Sequence, residues 1–127
     1  MHKNRGFTLI EVLVSLMVLA TAMLGLSRLT IASINVNIAN KNGVQAAVLL
    51  QDHMESIKQA GYAGANTAST TEDYYSIIDP STGRPLAYKR VTSVAFNTPA
   101  PNMRTVTVTV FWQQDKHALS GSMILGQ

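Results

Sequence analysis

At 127 residues the chain has room for one small domain, and a long N-terminal helix would leave that domain only a modest core. It contains no cysteine, which excludes a disulfide framework and thiolate chemistry without locating the protein. The net charge is +3, yet the basic residues are strung from Lys3 and Arg5 through Arg28, Lys58 and Arg90 to Lys116. Nucleic-acid binding needs such residues gathered into one patch, so nucleic acid is not expected as a partner.

The first element carries most of the information. His2, Lys3 and Arg5 precede Gly6, after which Phe7 to Leu26 runs for 20 residues with Glu11 as the one ionisable side chain. At about 1.5 Å per residue this length is enough for a helix to cross a bilayer core. Flanking lysine and arginine resist translocation, which predicts a cytoplasmic N-terminus and a head on the far side. Two readings compete here. An ordinary secretory signal would be cut after a small-residue pattern, and Ala20 and Ala22 offer one. Glu11 argues against it, because a carboxylate in a membrane helix costs up to about 2.5–3.5 kcal/mol at the helix centre and a discarded signal has no use for that cost. A glutamate that merely snorkels to the interface is the plain alternative.

The run Lys3-Asn4-Arg5-Gly6-Phe7-Thr8-Leu9-Ile10-Glu11-Val12-Leu13-Val14 resembles the class III signal of type IV pilins and of the pseudopilins of type II secretion. The likeness lies in a short basic leader ending in glycine, then phenylalanine, then glutamate as the fifth residue of the mature chain. It implies cleavage by a prepilin peptidase between Gly6 and Phe7, methylation of the new amine on Phe7, and retention of the apolar segment. Of the ten lysines and arginines, the two in the leader would then be lost, leaving 8 basic against 7 acidic residues. The family also implies that Glu11 acts as the assembly charge, pairing with the amine of a neighbouring subunit. By spacing, Glu11 lies four residues beyond Phe7, one turn along the same face, so an internal pair is equally open. Either pairing would answer the penalty on an unpartnered buried charge.

Farther along, residues 28–61 are expected to continue the helix into water. Val44, Ala47, Val48, Leu50, Met54 and Ile57 recur mostly at steps of three and four, with Gln51, Asp52, Glu55 and Lys58 between them. Gly61 is the expected stop. The asparagine-rich Ser33 to Gly43 stretch reads as a softer section. No proline occurs from Met1 to Tyr62, so the proline kink common in the family is not carried over.

Residues 62–86 read as a connecting loop, rich in small residues and closing on Asp79-Pro80-Ser81-Thr82-Gly83-Arg84-Pro85. Three strands are expected after it. Ala87 to Phe96 and Arg104 to Trp112 are β-branched and aromatic, with Val106, Val108, Val110 and Trp112 alternating at period two; Ser122 to Leu125 is shorter. Reversals are expected at Asn97 to Asn102 and over Gln113 to Ser120.

The expected fold is therefore α+β: a long N-terminal helix laid on a small antiparallel sheet of about three strands, which also resembles the pilin fold. The domain plan is a leader at 1–6, a transmembrane or filament-core helix at 7–27, its amphipathic continuation at 28–61, a loop at 62–86 and the sheet of the head at 87–127. Within the family the chain is most like a PilV-type minor pilin or the corresponding minor pseudopilin of type II secretion. A major pilin's usual C-terminal disulfide loop has no counterpart without cysteine. The resemblance implies as partners a prepilin peptidase, the inner membrane, and other minor pilins with the major pilin, or pseudopilins. It places the chain in the inner membrane before assembly, with its head in the periplasm or outside, and in a filament afterwards.

Catalysis is not expected. His53 and His117 are far apart in sequence and no spacing resembles a metal site. Glu72, Asp73 and Asp79 could hint at calcium, but the ligand count is low. No serine or threonine stands in a recognisable relation to a histidine and an acid. The expected function is a structural subunit that helps initiate or build a type IV pilus near its tip. Alternatives are a pseudopilin of type II secretion, or a tip module that uses the 62–85 loop for adhesion.

Overall fold

The computed structural model describes residues 8–65 and 70–127. Gly6 and Phe7, and the segment expected to be a leader, lie outside the described residues. The chain divides into two units, the first ending at Ala39 and the second comprising Asn40–Gln127. Helix α1 spans Leu9–Gly64.

In the first unit α1 begins under a cap. The Glu11 N–H meets both the Thr8 Oγ1 at 3.4 Å and the Thr8 carbonyl at 3.1 Å, so Thr8 serves orphan donors of the first turn. Farther on, the hydroxyls of Ser15, Thr21, Ser27 and Thr30 each donate to a carbonyl one turn back, at 2.8–3.2 Å. The helix thus satisfies its own polar groups, as a segment in lipid must. Its apolar side chains are uncovered all round, from 80% exposed at Leu9 to 48% at Val12. Mean hydropathy reaches 2.3 over its best 18-residue window, which makes it long and apolar enough to cross a membrane.

The second unit is a helix laid on a sheet. Strands β1 (Thr70–Glu72), β2 (Tyr88–Phe96), β3 (Met103–Trp112) and β4 (His117–Gly126) form one antiparallel meander in sequence order. Side chains alternate across β3, so Val106, Val108 and Val110 face α1 with no exposure while the threonines between them face the other way. Val110 packs with Ala46, Ile77 and Tyr88; Val106 and Val108 pack with Ala65, Leu50, Met54 and Ile57. Gly121 permits close approach: a Cβ there would sit 2.9 Å from Met54 Sδ and 3.0 Å from Leu50 Cδ2. The Tyr88 hydroxyl, its pKa raised by burial, donates to the Asn42 carbonyl at 3.1 Å and ties β2 to the helix.

Several expectations are corrected. The sheet has four strands rather than about three, because Thr70–Glu72 pairs with Arg90–Thr92 inside the segment read as loop. The last strand starts at His117, since Ala118 to Ser120, although exposed and unpatterned, pair with Thr109 to Phe111. The helix stripe is also turned. Leu50, Met54 and Ile57 do pack on the sheet, but Val44 is 65% and Val48 50% exposed, while Ala46 is fully buried. Residues 44 and 46–50 are all apolar, so several faces were available, and the small Ala46 is the one that lets Tyr88 and Val110 close in. At Gly61 the dihedrals leave the helical region (φ 66°, ψ −166°), which glycine does at little cost. Just beyond that break, Arg104 lies 3.9 Å from the Tyr62 ring centroid and 5.2 Å from that of Phe96, and donates through Nη1 to the Tyr62 carbonyl. A cation held between two rings, and largely desolvated, fastens the end of α1 to the sheet.

Candidate functional site

Of the three residues expected to carry processing and assembly, Gly6, Phe7 and Glu11, the described residues include Glu11. It is exposed in the first turn of α1, where a negative side chain complements the positive end of the helix dipole. Thr8 and Glu11 stand in T-x-x-E spacing, and the Thr8 hydroxyl accepts from the Glu11 backbone N–H, which is the half of a capping box made by the N-cap residue.

The second unit presents an apolar groove of about 640 Å³ between α1 and the edge strand β4. Ala47, Leu50 and Met54 form one wall and Leu119, Met123 and Leu125 the other, with Glu55 and Lys58 at the rim. Val44 and Val48 lie exposed on the same stretch of helix.

Acidic and histidine residues are engaged separately. Glu72 Oε2 accepts from Arg90 Nε at 2.6 Å and from Arg90 Nη2 at 2.5 Å. Asp79 instead closes its own turn, accepting from the Ser81 hydroxyl at 2.6 Å and the Ser81 N–H at 2.8 Å through Oδ1, and from Thr82 through Oδ2. The Ser81 hydrogen bonds, and secondarily that of Thr82, lower the Asp79 pKa. Among the described residues no three of histidine, aspartate or glutamate gather where they could hold a metal ion. His117 stacks on Trp112 at 5.6 Å between centroids.

His53 has a structural post. Its Nε2 is 3.0 Å from Thr92 Oγ1 across the helix–sheet layer. Burial, then the neighbouring Arg90 charge, lower its pKa from the ordinary 6.5, and Glu72 opposes them. The unfolded chain therefore takes up a proton first as pH falls through 6.5, so stability is full above that value and declines below it. Melting followed by circular dichroism is expected to show a lower midpoint at pH 5 than at pH 7, with a shallower decline in His53→Gln.

The family described as "Prokaryotic N-terminal methylation motif" matches residues 1–27. Comparison with curated proteins and with solved structures finds no match.

Proposed function

We propose that this chain, type IV pilin-like in its N-terminal motif and in its helix-on-sheet architecture, is a minor structural subunit that helps initiate or build a type IV pilus. One observation carries the reading: the methylation motif at residues 1–27 continues into a helix whose large apolar side chains from Leu9 to Ile38 are all about half exposed or more. A helix apolar on every side suits a bilayer, and afterwards the packed core of a filament. Prepilin peptidase cuts between Gly6 and Phe7; the new amine on Phe7 is methylated; the chain waits in the inner membrane and then joins other pilins, with Glu11 as counter-charge to an amine. Nothing in this scheme asks the head to catalyse a reaction.

Intact mass and N-terminal peptide mapping of protein recovered from its native membrane test the processing. A mature chain starting at N-methylated Phe7 is the expected result, with Gly6→Val retaining the leader. Cleavage after Ala22, or an uncut Met1, would overturn it. Loss of pili on deleting the gene separates this reading from the type II pseudopilin, whose deletion would instead leave secreted proteins in the periplasm.

A further inference from the structure

Backbone strain is unevenly distributed in the second unit. Six described non-glycine residues have positive φ. Asn97 and Asn102 are of the type that tolerates it, but Tyr75 (66°), Gln113 (54°), Gln114 (57°) and Asp115 (63°) include bulky side chains, three of them consecutive. All four converge on one place. The Tyr74 hydroxyl accepts from the Asp115 N–H at 2.7 Å and donates to Asp115 Oδ1 at 3.0 Å, while Lys89 Nζ stands 3.3 Å from Oδ2. This clasp holds the strained β3–β4 turn against the chain leaving β1 and against Lys89 of β2.

The clasp places Gln113 and Gln114 beside Tyr74 and Tyr75, around a cleft of about 230 Å³ floored by Ala87. Through Ala87 and Gln113 it adjoins a second hollow of about 140 Å³ alongside Trp112. No charged side chain among the described residues lines either lobe. The walls are aromatic rings and primary amides. Each amide can donate and accept, and each ring offers a flat apolar face with little rotameric freedom to lose. A ligand matching this set is uncharged, dense in hydroxyls and apolar on one face, which describes a pyranose. Strain held in place by a specific clasp is what ligand-binding segments accumulate.

We propose that the two-lobed cleft formed by Tyr74, Tyr75, Gln113, Gln114 and Trp112 binds a neutral oligosaccharide, with one sugar ring in each lobe. The inference stands on this geometry and does not depend on the filament reading. The full chain is to be studied in dodecylphosphocholine micelles, whose head group carries no sugar. Saturation-transfer NMR is then run with maltose, cellobiose, lactose and diacetylchitobiose, and with decaproline as the rival aromatic-groove ligand. At least one disaccharide should receive saturation. Tyr75→Gly and Gln114→Gly should each weaken that binding at least tenfold while raising the melting temperature, because glycine relieves the left-handed backbone. A merely structural role would lower it instead. Transfer to decaproline alone, to no disaccharide, or undiminished to a disaccharide in both variants would overturn the proposal.

Discussion

Replacing Val106 with aspartate is expected to unfold the second unit at neutral pH. Val106 has no exposed surface, and its register partners on either side, Val94 and Met123, are apolar. Leu50, Met54 and Ile57 close over the same cluster from α1. A carboxylate there would lose its water and gain no partner, or would bind a proton to avoid doing so. The cost is about 4–5 kcal/mol or more, against a stability of roughly 5–15 kcal/mol for a whole domain. Loss of the cooperative melt by circular dichroism is the measurement. Because burial raises the pKa of the new carboxyl, the destabilisation is full above that raised folded value and eases as pH falls from there towards the unfolded one. Stability in the variant should therefore recover towards pH 4, opposite to the trend His53 sets in the parent. Ser122→Asp, on the outer face of β4, should shift stability by no more than about 0.5 kcal/mol. A native-like melt for Val106→Asp at pH 7 would refute the core assigned to this unit.

Glu11→Gln is expected to leave the protein processed at Gly6 but strongly depleted from filaments. Glutamine is the informative choice, since it is nearly the same size and leaves the Thr8 cap on the backbone N–H of residue 11 in place. What it removes is the charge. In an apolar assembly the amine on Phe7 would then be left without its counter-charge, and stranding one partner of a buried ion pair typically costs about 3–5 kcal/mol. That is about 150- to 5,000-fold in an association constant. Sheared filaments probed beside the membrane fraction would show the shift. Wild-type amounts in the filament would remove the assembly charge from the scheme.

The sequence and the structure agree most closely where the physics is local. A 20-residue apolar run and its basic flank are properties of consecutive residues, and the membrane-competent first half of α1 follows from them, while the three- and four-residue apolar steps carry the helix on towards Gly61. The Thr-Val alternation likewise placed β3, and Gly61 marked where helical dihedrals end, because glycine alone enters that region cheaply.

By itself, then, the sequence determined the membrane-competent start, the helix-then-strands order and the valine face of the sheet, since each depends on periodicity along one segment. Only the tertiary structure decided the rest. Thr70–Glu72 becomes a strand because β2 offers it an edge, and His117–Ser120 because β3 does. Ala46, rather than Val44 or Val48, meets the sheet because closeness of packing, not hydrophobicity, selects among equally apolar helix faces. Arg104 lies between Tyr62 and Phe96, and Tyr74 clasps Asp115 41 residues away, through contacts that no window of neighbouring residues contains.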